Sequence, residues 1–174
     1  MADYGKLDGP TVLEFYRDLP GPIERVWDYL TKSELRAKWL CGGEVEPQAG
    51  GVIHMDFDNM KLSTTQPENE CDADPVSFQG EVLIYEPPHT LSFTWPSRTG
   101  EAPTEVTFRL TERGGSVLLH LRHEKVSSTE YRRGAAGGWH AHMDLLLDNL
   151  EEKPVRDFWS HYGALRAEYD VRLS

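Results

Sequence analysis

Residues 134–152, GAAGGWHAHMDLLLDNLEE, carry the strongest helical signal of the chain and decide how the rest is read. Each residue is placed at about 100° per step with Trp139 at zero. Met143, Leu146 and Leu150 then lie within about 40° of the indole, and Ala135, Ala136 and Leu147 within about 80°. That stripe is wide enough to face a sheet. His140, Asp144, Asp148 and Glu151 gather on the opposite side, between about 100° and 180°. This side is expected to be solvated, with His140 at the surface. His140 and His142 project about 200° apart. They cannot hold one ion together, which on a helix takes a spacing of three or four. His142 falls about 60° from Trp139, at the edge of the buried stripe. The stretch therefore reads as an apolar wall rather than a metal site.

Strands precede it. Thr11–Asp18, TVLEFYRD, alternates loosely and is expected to be the first strand. In LPGPIERVWDYLTKSELRAKWL, Pro22 suits a first helical turn, and Ile23, Val26, Trp27 and Leu30 recur at helical spacing. Thr31 or Ser33 can cap a second short helix with Leu35 and Trp39 four apart, ended by Gly42-Gly43. Gly50-Gly51 opens VIHMDF, a strand. Residues 59–75 read as a long, polar, solvated loop, with six acidic residues and one lysine between Asp56 and Asp74. Asp72 and Asp74 lack the glycine and later ligands of a calcium loop.

Val76–Glu86 follows as a strand ending at Pro87-Pro88. His89–Trp95 carries Leu91, Phe93 and Trp95 on one face, and Thr104–Glu112 carries Val106, Phe108 and Leu110 on one face. Gly114-Gly115 makes a tight turn. Ser116–Val126 returns with Val117, Leu119, Leu121 and His123 sharing a face, and His120 on the other. Four consecutive strands with short connections imply an antiparallel meander. Pro154 ends the long helix. Beyond it Phe158, Tyr162, Leu165 and Tyr169 recur at helical spacing, which predicts a further short helix packed on the domain.

The chain has 174 residues, 39% of them hydrophobic and 27% charged, which suits one soluble domain with a real core. The formal net charge of -11 argues against a phosphate-backbone binder, which needs clustered Lys and Arg. No apolar run reaches the roughly 20 residues of a membrane span. The start, MADYGKLDGP, has neither a basic end nor an apolar stretch, so a secretory leader is not expected and a cytoplasmic location is. Cys41 and Cys71 are too few for a disulfide framework and are read as free thiols.

Motifs of catalysis are absent: no GxSxG, Walker loop, GxGxxG or zinc spacing occurs. No two carboxylates are held at a predictable catalytic separation, so no acid–base pair can be assigned. The aromatic residues are the better lead. Trp39, Phe78, Phe93, Trp95, Phe108 and Trp139 all fall on apolar faces. A curved sheet cannot pack flat on a long helix, and an apolar space between them suits a small greasy ligand. The candidate lining consists of Trp39, Met55, Phe57, Phe78, Phe93, Trp95, Phe108, Leu121, His123, Trp139, His142, Met143 and Leu146. No catalytic residue, metal ligand or cofactor is assigned.

Five segments in order carry a family resemblance. They are PIERVWDYLTKSELRAKWL, Gly-Gly before a strand, GEVLIYEPPHTLSFTW, TEVTFRLTERGGSVLLHLRHE and GGWHAHMDLLLDNLEE. Together they resemble the activator of heat-shock-protein-90 ATPase homologue-like family, within the START-related (SRPBCC) superfamily, from about Thr11 to Leu173. The resemblance implies an α+β helix-grip fold: a six- or seven-stranded curved antiparallel sheet wraps a long C-terminal helix, and two short helices after the first strand close one end. Residues 1–174 would form one such domain, with 154–174 as a helical extension. The family shares no general catalytic set. It includes proposed carriers, cyclase-like enzymes, resistance proteins that sequester a toxic molecule, and chaperone partners. The ranking that follows places non-catalytic binding of a hydrophobic small molecule or lipid first. A chaperone-associated interaction protein comes second. A cyclase- or hydrolase-like enzyme using His123, His142 or Tyr85 comes third.

Overall fold

The computed structural model describes residues 4–96 and 100–174. Residues 1–3, part of the segment read for a leader, lie outside it. The elements run β1 (Lys6–Leu7), β2 (Leu13–Pro20), α1 (Ile23–Thr31), α2 (Ser33–Arg36), β3 (Val52–Phe57), two 3-10 turns (Asn59–Leu62 and Glu70–Ala73), β4 (Val76–Glu86), β5 (Thr90–Trp95), β6 (Thr104–Arg113), β7 (Ser116–Glu124), α3 (Thr129–Leu150) and α4 (Phe158–Arg172). The seven strands form one sheet in the order β1-β2-β7-β6-β5-β4-β3. Every pairing is antiparallel. This is the helix-grip architecture, with α3 laid along the concave face.

Local chemistry explains the bends. β4 shifts register between Val82 and Ile84, a bulge that increases strand twist. Gly80, just before it, comes so close to β5 that a Cβ there would stand 2.2 Å from the Thr94 carbonyl oxygen. At the β6–β7 hairpin, Gly114 and Gly115 take φ of 54° and 98°, the left-handed pair that a two-residue turn needs. The exposed edge of β3 is shielded by single bridges from Gly42 to Asp56 and Val45 to Ile53.

The helices at the closed end follow their sequence pattern, with one correction. Ile23, Val26, Trp27 and Leu30 of α1 are buried. Neither Thr31 nor Ser33 caps α2; Lys32 occupies the cap position without a side-chain bond. The Ser33 hydroxyl instead accepts the Gly43 N–H at 2.9 Å. Arg36 is buried and its guanidinium donates to the carbonyls of Cys41, Gly43 and His54, tying α2 to β3. Trp39, fully buried, donates its indole N–H to the Tyr29 carbonyl at 2.8 Å.

Several boundaries moved by one to five residues. β2 starts two residues later than expected and runs to Pro20. The two-residue β1 carries too little pattern to read. α3 begins at Thr129 rather than Gly134, because Ser128 accepts the Tyr131 N–H and caps a polar first turn. The segment 59–75 is not featureless: it carries two 3-10 turns, the first of them against α4, and Asp157 holds the residues that follow that turn. Cys41 is buried and Cys71 exposed, both as free thiols.

The main correction concerns the back of α3. His140, Asp144 and Asp148, expected at the surface, are only 2%, 8% and 4% exposed. Two things cover them. α4 folds back across α3, so close that a Cβ on Gly137 would stand 3.3 Å from Tyr162 and 3.4 Å from the Arg166 Cα. Arg17, inward-facing on β2, approaches Asp144 from the sheet side at 3.5 Å. Burial of these polar groups is tolerated because they are paired. Asp144 accepts from Arg156 at 2.8 Å and from His161 at 2.8 Å. Asp148 accepts from Arg156 at 3.0 Å. Burial works against the charged form of Asp144, and its cationic and imidazole neighbours outweigh that, holding its pKa below the usual carboxylate value.

Candidate functional site

At the open end of the grip, α3 and the sheet diverge and leave a pocket of about 380 Å³. The ends of three strands supply Phe57, Trp95 and His123, and Leu40 adds to the wall. The first two-thirds of α3 supplies Glu130, Tyr131, Gly134, Ala135, Gly138, Trp139 and His142. α4 supplies Phe158, Trp159, Tyr162 and Arg166, and the two 3-10 turns supply Asn59 and Asp72. Gly138 matters for the space itself: a Cβ built there meets nothing within 4 Å, so the helix leaves its side of the pocket open.

The aromatic wall has two groups of rings, one on the strand ends and Trp139 and one on His142 and α4. Trp95 lies 5.1 Å from Trp139 and 5.5 Å from Phe57, centre to centre. Phe158 stacks on His142 at 4.3 Å and contacts Trp159 at 4.9 Å. Five of the thirteen residues proposed from sequence meet here: Phe57, Trp95, His123, Trp139 and His142. Phe78 packs edge-on against Phe57, at 6.2 Å. Trp39, Phe93 and Phe108 form the aromatic layer behind the wall, with Phe108 5.8 Å from Trp139. Met55, Leu121, Met143 and Leu146 sit in the closed core. Tyr85 packs edge-on against Trp27 at 5.4 Å and is not in the pocket wall.

Both pocket histidines are held neutral. An indole only donates, so His123 Nδ1, which receives the Trp139 Nε1–H at 3.0 Å, carries no proton. The proton sits on Nε2 and points at Thr104 Oγ1, 2.7 Å away. Burial pushes the His123 pKa down to about 3. His142 has the reverse tautomer: Nδ1–H donates to the Trp39 carbonyl at 2.6 Å, leaving Nε2 as an acceptor. Burial pushes its pKa down to about 4, against a smaller opposing pull from that carbonyl. Neither imidazole is basic enough to take a proton near neutrality. His140 and His142 have separate partners: His140 faces Tyr169 and His142 stacks on Phe158, at opposite ends of α4.

Two residues of the wall each have a side-chain polar atom buried without a hydrogen-bond partner among the described residues, Asn59 Oδ1 and Trp159 Nε1. At the rim, Arg166 is held by Glu130 at 2.6 Å and Asp170 at 3.0 Å. Among the described residues no group of three or more His, Cys, Asp or Glu is placed to hold a metal ion. Likewise no helix is long and apolar enough to cross a membrane.

Sequence reading missed α4 and the 3-10 turns as pocket walls. The adjacent aromatics Phe158 and Trp159 with Tyr162 were the available signal, since they give one helix a broad aromatic surface. Nothing local marks Asn59 or Asp72, whose position depends on where a remote helix docks.

A sheet gripping one long helix around an aromatic pocket defines a helix-grip protein. The family model for activator of Hsp90 ATPase homolog 1-like protein matches residues 20–151, and the chain belongs to that family. Among solved structures, the protein encoded by gene BPP1335 of Bordetella parapertussis is similar at 36% identity and a TM-score of 0.83, covering 98% of this chain and 92% of that one. CalU16 from Micromonospora echinospora shares the fold at 19% identity and a TM-score of 0.68, covering 93% and 88%. MLL2253 from Mesorhizobium loti does so at 23% and 0.65, covering 83% and 99%. No curated protein matches.

Proposed function

We propose that the protein is a non-catalytic binder of a hydrophobic small molecule, held in the pocket between α3, α4 and the ends of β3, β5 and β7. The carrying observation is an aromatic pocket of about 380 Å³, within the ordinary range for small ligands, whose two histidines are locked as neutral structural groups. A cyclase or hydrolase needs a group able to move a proton. Neither His123 nor His142 is poised for that, and Tyr85 lies outside the pocket wall. The cytoplasmic location expected from the sequence belongs to this reading, as does a single domain in which residues 154–174 complete the pocket.

Gly138→Leu is the direct test. A side chain there enters open space, so the fold tolerates it and the helix gains propensity. Naphthalene, 2-naphthol and decanoate would be titrated into the labelled protein, following the indole N–H signals of Trp95, Trp139 and Trp159. Shifts in the wild type that vanish in Gly138→Leu support the reading. No shift with any probe sinks it.

A second reading rests on the family description and the net charge of -11: docking on a chaperone or other protein through the acidic surface. Such binding would weaken with salt. It would survive Gly138→Leu, which separates the two.

A further inference from the structure

Resting on the binding reading above, we infer that the site extends beyond its aromatic pocket and takes a two-part molecule: an aromatic body in the pocket and an uncharged, hydroxyl-bearing tail in the groove between α4 and residues 65–72. That groove holds about 630 Å³. It meets the pocket along four side chains that line both spaces, Trp159, Tyr162 and Arg166 from α4 and Asp72 from the second 3-10 turn. Two other surface grooves, one beside β1 and one around Asp157, share no side chain with the pocket. At about 380 Å³ the pocket alone stands near the lower end of the roughly 300–1,000 Å³ of small-molecule sites. A ligand that ends inside it leaves the adjoining groove to water.

The two spaces differ in chemistry. The pocket offers rings, such as Trp95 and Trp139 tilted at 58° to each other and 5.1 Å apart. The groove offers polar side chains within reach of a ligand: Thr65, Gln66, Glu68, Asn69, Ser160 and Asp170 line it and are exposed. Each of these six side chains carries an oxygen that accepts hydrogen bonds, so hydroxyl donors on a tail can replace water there. An anionic tail fits badly. The carboxylates of Glu68, Asp72 and Asp170 repel it, and the Arg166 guanidinium is already held by Glu130 and Asp170. Gly163 and Ala167, one turn apart on α4, line the groove and not the pocket, and a Cβ on Gly163 meets nothing within 4 Å. A large side chain at either position therefore enters the groove.

Dissociation constants of 2-methoxynaphthalene, 3-(2-naphthyloxy)propane-1,2-diol and (2-naphthyloxy)acetate test this. In the wild type the diol should bind about tenfold more tightly than methoxynaphthalene, as one net hydrogen bond implies, and the acetate more weakly than the diol. Of the three, the diol should give the largest shifts of the Ala164 and Ala167 methyl signals, which report on the groove and not the pocket. Gly163→Phe and Ala167→Phe should each keep the methoxynaphthalene affinity and lose most of the diol's advantage. Gly138→Leu should abolish binding of the diol too, since its tail has no hold without the aromatic body. The inference is overturned by a diol that binds the wild type no more tightly than methoxynaphthalene. It is also overturned by an advantage that survives both groove variants, by diol binding that survives Gly138→Leu, or by the acetate binding most tightly. So long as methoxynaphthalene binds the wild type and is lost in Gly138→Leu, the container reading stands in each of those cases; if no probe binds, both fall.

Discussion

Trp139 on α3 donates its indole N–H to Nδ1 of His123 on β7, at 3.0 Å. The bond continues outward: His123 Nε2–H to Thr104 Oγ1 at 2.7 Å, and that hydroxyl to the Trp95 carbonyl at 3.2 Å. One polar thread thus pins the grip helix to three strands inside an aromatic wall. Trp139→Phe keeps the packing and strands a buried acceptor, so it should cost about 1–3 kcal/mol. Trp139→Ala, which also opens a cavity, should cost about 3–5 kcal/mol. In a double-mutant cycle with His123→Leu, urea melts should show a coupling of about 0.5–3 kcal/mol. Strict additivity would mean the bond contributes nothing to holding the helix.

His140 now belongs with the core. Its Nδ1 lies 2.9 Å from the Tyr169 hydroxyl, which also accepts the Gly5 N–H at 2.7 Å. Because Tyr169 accepts from Gly5, its own proton is available for His140. One hydroxyl therefore joins α3, α4 and the N-terminal segment. Tyr169→Phe should destabilise by about 1–3 kcal/mol by stranding two buried groups. It should also raise hydrogen exchange at Gly5 ahead of global unfolding. His140→Ala should cost on a similar scale rather than the roughly 0.5 kcal/mol of a surface change. A negligible effect of both would return this face to solvent.

These residues also show what was legible in the sequence. The stripe of Trp139, Met143, Leu146 and Leu150, and the alternation of Leu119, Leu121 and His123, are local periodicities that burial imposes directly on the chain. The family resemblance added the curvature and the grip. The existence of α4 was also local, written in Phe158, Leu165 and Tyr169. Its docking surface was not. A polar face such as His140, Asp144 and Asp148 reads as solvated unless the partners that satisfy it are known. Here those partners are Arg17, Arg156, His161 and Tyr169, scattered along the chain. The same holds for the pocket, whose inner wall was read from strand and helix faces while its outer wall depended on that docking.

Acid should weaken the fold through the buried histidines. Burial holds His140 and His142 near 4 and His123 near 3 when folded, against about 6.5 for an unfolded histidine. Between these values the unfolded chain binds more protons, so stability falls as pH drops below about 6.5 and levels off only below the folded values. His142 alone is worth on the order of 3 kcal/mol between pH 6.5 and 4. The depressed carboxyls of Asp144 and Asp157 act in the same direction, but only below about pH 4. Urea midpoints measured from pH 7.5 to 5 therefore isolate the histidines. His142→Asn, which can keep the donor to Trp39 without titrating, should flatten the slope. An unchanged slope would show that His142 is not buried as a neutral group.

Asp157 is the joint between the acidic segment and α4. One of its oxygens accepts the Ser160 N–H at 3.1 Å, capping the helix, and the Ser63 hydroxyl at 2.6 Å. The other accepts the N–H groups of Thr64 at 2.6 Å and Thr65 at 3.1 Å. Although desolvation opposes it, this set of donors holds the carboxyl well below the usual range. Asp157→Ala should cost about 1–2 kcal/mol through the lost cap. The more specific effect is on the pocket, because Asn59 and Asp72 are carried by the segment that Asp157 anchors. Ligand affinity should fall in Asp157→Ala even though Asp157 is not in the pocket wall. Exchange protection at Thr64 and Thr65 should be lost while that of β6 and β7 is kept. Asp157→Asn, still able to accept on one oxygen, should fall between the two. If Thr64 and Thr65 stay protected in the alanine variant, the segment is held by something else and the joint has been misplaced.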